Sequence, residues 1–358
     1  MFSFRSDAVR IEVTDRLEAL SHVTGWKHYP TFTSGFDVLK FLRDRWFLIL
    51  LLVVLATGIA YGTRLKTYND HKAVRDAVVA TTLFLMALPL EAKAIWGTIR
   101  RPLASLVALL VTYVLLPLTA WGASLALSGG LAPGLLIAAA TPCTIASAAV
   151  WTRRAGGNDA VATMVTVLTN LLCFVAMPTW LSIMMGHGIQ SDEFVFSKAV
   201  VQLGKLVVVP MLIAQLVRLH RPLAAWATKH KLGLSMLAQC GIIYMVFAGA
   251  VQTGIQVFSA TGKPPALFDF LLMVAAVLGV HLSAFWYGLR LGKLAGLSRE
   301  DQIAVAFSGS QKTLMIGLKV SLDYGVSILP MVTFHIGQLL VDTVIADRMA
   351  REQPVKQL

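Results

Sequence analysis

From Leu103 to Thr152 the chain runs fifty residues without an Asp, Glu, Lys or Arg. A soluble element of that length would need a polar face. Roughly 20 apolar residues cross a bilayer as a helix, so this run is long enough for two crossings. Ser128-Gly129-Gly130-Leu131-Ala132-Pro133 supplies the turn between them. Further apolar runs are Trp46–Thr63, Ala77–Leu90, Ala160–Gly186, Ala199–Val217, Leu232–Gly262, Phe270–Leu289, Gln302–Leu318 and Tyr324–Val341. Together they predict an all-α membrane protein with ten transmembrane helices.

Composition agrees. Charged residues make up 14%, against roughly 25% in soluble domains, too few to cover a soluble fold of 358 residues. The net charge of +12 would point to nucleic acid in a soluble chain. The basic residues instead fall between apolar runs, and no zinc-ligand spacing, RNA-binding aromatic motif or basic helix accompanies them. The expected partner is therefore the lipid bilayer and not nucleic acid. Cys143, Cys173 and Cys240 all lie in apolar runs, an odd number suited to packing rather than to a disulfide framework.

Topology follows from the positive-inside rule. With the N-terminus inside, 22 of the 31 lysines and arginines fall in cytoplasmic segments and 6 in outer ones. Both termini are thus expected in the cytoplasm of a multi-pass cell-membrane protein. The misfit is the first outer loop, with Arg64, Lys66, Lys72 and Arg75. Residues 1–43 read as a charged cytoplasmic tail and not a signal peptide. Within it Ala8–Val23 is either a short interfacial helix or disordered. Residues 351–358 form a C-terminal tail. Ten spans divide into five plus five, and an odd repeat must invert its second copy. The repeats are expected at about 44–186 and 196–346.

Polar interruptions fall in the fourth span of each half. In Thr141-Pro142-Cys143-Thr144-Ile145-Ala146-Ser147 the proline removes a helical hydrogen bond, and the freed backbone groups must face protein or a cavity. Thr144 and Ser147 share a face just past that break. Their hydroxyls either bond their own backbone or meet a solute. In Arg153-Arg154-Ala155-Gly156-Gly157-Asn158-Asp159 the glycines permit a tight turn that Asn158 or Asp159 can cap. Thr163, Thr166 and Asn170 form a polar stripe on one face of span 5, for helix–helix bonding or for coordinating a cation or solute.

Phe307-Ser308-Gly309-Ser310-Gln311-Lys312-Thr313 is the more informative interruption. A lysine near the membrane centre costs roughly 2.5–3.5 kcal/mol and normally marks a pathway. Ser308-Gly309-Ser310 should unwind the helix, and a half-helix starting near Gln311 would aim its positive end at the same place. Ammonium and dipole together would attract an anion; alternatively Lys312 carries a proton. His281 and His335 read as packed, lone histidines. Gln338 and Asp342, four apart, are placed to bond each other.

The two interruptions, together with Arg45-Trp46-Phe47, resemble the signatures of the sodium/bile-acid symporter-like family, in its SBF-like branch, over about residues 40–350, with the transporter domain itself at 44–350. The resemblance implies two inverted five-helix repeats with discontinuous helices 4 and 9 crossing near the membrane centre, and a core moving against a panel to give alternating access. It raises the functional readings of Ser147, Thr166 and Gln311. Bile-acid symporters hold sodium with an asparagine after the span 4 serine and a glutamate four residues before the span 9 glutamine. Those positions here are Ala148 and Phe307. No carboxylate is expected at the crossing, and Lys312 stands where an asparagine would follow the glutamine, which argues against sodium coupling. The resulting expectation is a secondary transporter of a small organic anion, bile-acid-like or another organic acid, and not an enzyme. It needs no cofactor or resident metal beyond a coupling ion, sodium or proton. The substrate- or ion-binding candidates are Thr144, Ser147, Thr163, Thr166, Asn170, Ser308, Ser310, Gln311 and Lys312. The alternative from another class is a non-transporting regulator or scaffold of ion homeostasis.

Overall fold

The computed structural model describes residues 38–68, 71–90, 102–145, 147–184, 196–258 and 265–351. The expected interfacial segment Ala8–Val23 and the tail after Arg351 lie outside them. The chain divides into two compact units, residues 1–49 and 50–358. Of the first, the described residues form the opening turns of one helix, α1 (Val38–Ala60).

The second unit continues with α2 (Lys72–Ala87), α3 (Pro102–Ser124), α4 (Leu131–Ala140), α5 (Ala148–Arg154) and α6 (Asp159–Met184). Then come α7 (Phe196–Arg218), α8 (Arg221–Lys229), α9 (Lys231–Val257) and α10 (Leu267–Leu294). The last are α11 (Arg299–Ser310), α12 (Leu314–Asp323) and α13 (Leu329–Arg351). No strand occurs among the described residues. Six of these helices, α3, α6, α7, α9, α10 and α13, are long and apolar enough to cross a membrane. Leucines such as Leu106, Leu212 and Leu271 stand exposed on their outer faces, as lipid contact requires. The chain is an all-α, multi-pass membrane protein.

Six is fewer than the ten apolar runs, for identifiable reasons. The apolar stretch of α1, Trp46–Ala60, and the 16-residue α2 are short. The fourth and ninth runs are each split into two short helices. Pro133, expected in a turn, sits in the first turn of α4, where a missing N–H costs nothing. The unwinding expected at Ser308-Gly309-Ser310 does not occur: α11 stays helical through Ser310 and the chain reopens only at Gln311–Thr313. The following helix starts at Leu314 and not near Gln311. Gly309 serves close packing instead, since a Cβ there would lie 3.0 Å from Val111.

Prolines shape two of the long helices in the same way. In α3 the turn Val111–Leu115 is a π-turn, with Pro117 two residues beyond it. In α7 the turn Gly204–Val208 repeats this, followed by Pro210. A proline ring clashes with the carbonyl four residues back. Widening the preceding turn to i→i+5 relieves the clash, and the amide of Leu116 donates to Val111 O. The widening has a consequence at Thr112. Its i+4 amide is taken by Val111, and its i+5 residue is Pro117, which has none to give. Thr112 O therefore needs a donor from elsewhere.

Each split helix runs into a glycine turn and then a long helix. Gly156 (φ 74°) links α5 to α6, and Gly325 (φ 63°) links α12 to α13. In both, the chain closes back on the helix end, Gly157 N to Thr152 O at 2.8 Å and Val326 N to Ser321 O at 3.0 Å. Left-handed backbone of this kind is the ordinary use of glycine after a helix. Asn158 caps α6, accepting from Ala160 N at 3.2 Å and Val161 N at 3.4 Å.

Candidate functional site

The two splits meet. The amide of Thr313 donates to Pro142 O at 2.9 Å, which joins the second break directly to the first. Both breaks are buried, so each released backbone group needs a partner.

Around the first break, Cys143 N donates to the Thr169 hydroxyl at 3.2 Å, and Cys143 O accepts from the Asn170 amide at 2.8 Å. Thr144 O accepts from the Thr166 hydroxyl at 3.4 Å. The polar stripe of α6 thus satisfies backbone that Pro142 has opened. Around the second break, Gln338 of α13 acts like a paired peptide group. Its Oε1 accepts from Lys312 N at 2.8 Å and its Nε2 donates to Lys312 O at 3.0 Å.

Lys312 joins the two. Its side chain is fully buried, and its ammonium donates to Thr141 O at 2.8 Å and to Thr112 O at 3.0 Å. The first carbonyl is freed by the break at Pro142, the second by Pro117. The ring of Tyr113 lies 5.8 Å from the ammonium, within cation–π range. An ammonium among carbonyl oxygens occupies the kind of place a hard cation takes.

A side-chain chain crosses the same point. Ser147 donates to Gln311 Oε1 at 2.8 Å, and Gln311 Nε2 donates to Asp342 Oδ2 at 2.6 Å. Asp342 Oδ1 pairs with His281 Nε2 at 2.9 Å, while His281 Nδ1 lies 3.3 Å from Ser310 O. Asp342 and His281 are fully buried.

Of the nine expected site residues, Thr144, Ser147, Thr166, Asn170, Gln311 and Lys312 come together at this crossing. Thr163 and Ser308 do not, and Ser310 reaches it only through its backbone carbonyl, beside His281 Nδ1. All three hydroxyls bond carbonyls of their own helices, those of Asp159, Ala304 and Phe307. Three expectations need correction. The crossing does contain a carboxylate, Asp342, supplied by the long helix that follows the second break. Gln338 and Asp342 turn to separate partners, and His281 is paired with that carboxylate. Thr169, Gln338, His281 and Asp342 were the missed members. The available signal was polar residues recurring on the helices that follow or flank the breaks.

Both oxygens of Asp342 have protein partners. By contrast Asn170 Oδ1 is buried without a hydrogen-bond partner, an acceptor left over at the crossing.

The crossing lies within a stretch of known family. A model of the SBF-like CPA transporter family matches residues 45–351. An uncharacterised protein of Pseudomonas aeruginosa is 28% identical over 331 residues, covering 88% of this chain and 95% of that one. Sodium/bile acid cotransporter 7-A of Xenopus laevis is 23% identical over 341 residues, 89% of this chain and 97% of that protein. The symporter candidate YfeH of Escherichia coli is 26% identical over 326 residues, 87% and 94% of the two chains.

Proposed function

Because the chain belongs to the SBF-like CPA transporter family, we propose that it is a secondary active transporter moving a small organic anion across the cell membrane by alternating access. The carrying observation is the crossing of the two breaks, with the Lys312 ammonium bound to Thr112 O and Thr141 O. Half-helices that meet through irregular backbone are the usual setting of a transporter's binding site. Lys312 supplies a positive charge there, fixed or titrating, and the organic anion is the solute class that charge favours. Asn170 Oδ1 and the Thr166 and Ser147 hydroxyls give the polar contacts beside it.

The same charge argues against sodium. A bound sodium would sit where an ammonium already occupies the carbonyls, at a separation where like charges repel. Asp342 does not restore the site, since Gln311 and His281 hold its oxygens.

Ten spans in two inverted repeats suit this reading. The six long helices are joined by α1, by α2, and by the split pairs α4–α5 and α11–α12. The repeated order of split helix, glycine turn and long helix supports five-helix repeats at about 44–186 and 196–346 within a 44–350 transporter domain, and the excess of basic residues in alternate segments supports cytoplasmic termini.

The test is uptake by proteoliposomes of a labelled bile acid and a set of small carboxylates, with sodium and proton gradients imposed separately. Uptake that responds to pH but not to sodium, and is lost in Lys312→Ala with normal membrane insertion, is expected. Uptake unchanged in that variant contradicts the role of Lys312. No uptake under either gradient favours the non-transporting regulator.

A further inference from the structure

The helices α7 and α9 each pack on α2. The end of α7 is tied to the end of α2, where Gln215 donates to Ala87 O at 3.0 Å and Arg218 to Leu88 O at 2.8 Å. Polar ties join α2, α7 and α9 to α12 and the turn after it, at the opposite end of α2 and α7. Lys319 of α12 pairs with Asp76 of α2 at 2.9 Å. Gln202 of α7 donates to Asp323 at the end of α12, at 2.8 Å. Gln256 of α9 donates to Gly325 O at 3.0 Å, in the turn after α12. Lys319 also pairs with Asp323 in a short contact on its own helix.

The charge is built in rather than incidental. The Lys319 side chain is 2% exposed, Asp323 14% and Asp76 30%. Salt bridges at an open surface contribute little. A buried lysine is desolvated and must be paired, and here two carboxylates hold it. Beneath it, Leu181, Leu203, Leu206 and Val320 line a small cavity together with Gln202 and Lys319. The ties lie at the far end of α12 from the crossing, since that helix begins immediately after Lys312 and Thr313 and ends at Asp323.

We infer that Asp76, Lys319, Asp323 and Gln202 form a latch that closes this end of the transporter and is broken each time the chain opens there. The inference rests on the alternating-access reading. A contact present in the closed state alone biases the two-state equilibrium by its own free energy. Asp76→Asn removes one charge from the latch while leaving Lys319 its pair with Asp323, so the closed state should lose population without loss of the fold. Gln202→Leu removes a second tie independently.

The measurement needs no solute. Leu203→Cys, in a Cys240→Ala background, places a thiol beneath the latch. Its labelling by a membrane-impermeant maleimide is timed in right-side-out and in inside-out membrane vesicles. Asp76→Asn and Gln202→Leu should each speed labelling from the latch face by about tenfold, the effect of a population shift of this size. Arg154→Gln, which breaks the Arg154–Asp347 pair between α5 and α13 at 2.5 Å, should leave the rate unchanged. Equal rates in the latch variants and their background, with intact protein recovered, overturn the latch. Faster labelling in both latch variants without uptake of any anion keeps the latch and removes the transport reading. Uptake with unchanged labelling does the reverse.

Discussion

Replacing Lys312 by Met separates stability from function at the crossing. The side chain keeps its length and apolar stem, and loses two hydrogen bonds to carbonyls at 2.8 and 3.0 Å. Bonds from a charged donor contribute about 1.5–3 kcal/mol each, so the loss is about 3–6 kcal/mol. Removing an ammonium from the membrane centre returns about 2.5–3.5 kcal/mol. The two nearly cancel, leaving a net cost of about 0–3 kcal/mol. Unfolding of such proteins is commonly irreversible, so the quantity to follow is the rate of loss of folded protein on heating in detergent. That rate should rise no more than about 100-fold, since each 1.4 kcal/mol is tenfold. Uptake should be abolished in the same preparation. A variant that cannot be recovered folded would make Lys312 a folding residue. A variant that folds and transports like the parent would refute the account of the crossing.

Asp342→Leu leaves the Gln311 amide and the His281 ring without their shared acceptor, at about 1–3 kcal/mol for each unpaired group. Asp342→Asn should cost far less, because His281 can exchange tautomers and accept from the new amide; thermal inactivation rates of the pair test this, and equal rates would contradict it. Gly288→Ala puts a Cβ 2.5 Å from Ala306 Cα, where backbone cannot rotate aside. It should destabilise by about 1–3 kcal/mol, and a neutral result in the same assay would show that α10 and α11 can part freely. Arg154→Gln breaks an exposed ion pair and should cost about 0–1 kcal/mol; a larger loss on heating would mean the pair supports the turn at Gly156.

How far the sequence could be read depended on how local each signal was. The uncharged run Leu103–Thr152 declares a membrane protein because lipid constrains composition directly. The break at Pro142 was legible because proline acts on its own helix. The second break was misplaced by three residues, because Gly309 can mean either a flexible turn or a close approach. Only the facing Val111 decides between them. Asp342 was missed at the crossing for a related reason. It lies near the end of an apolar run, and its partners His281 and Gln311 are 61 and 31 residues away. Lys312 stood out on cost alone, yet its two acceptors depend on Pro117 and Pro142, and no spacing in sequence pairs those prolines with a lysine 171 residues beyond Thr141. The latch was hidden likewise, since Asp76 and Lys319 look like ordinary end-of-span charges.

The claim that Lys312 holds the place of a coupling cation is most directly tested by sodium-linked stability. The purified protein is heated in sodium chloride and in choline chloride at equal ionic strength. A ligand that binds only the folded state at a hundredfold excess over its Kd stabilises by about 2.7 kcal/mol. With the carbonyls of Thr112 and Thr141 already holding an ammonium, the two salts should give the same inactivation rate. A protein that lasts longer in sodium, in proportion to its concentration, would contradict the assignment.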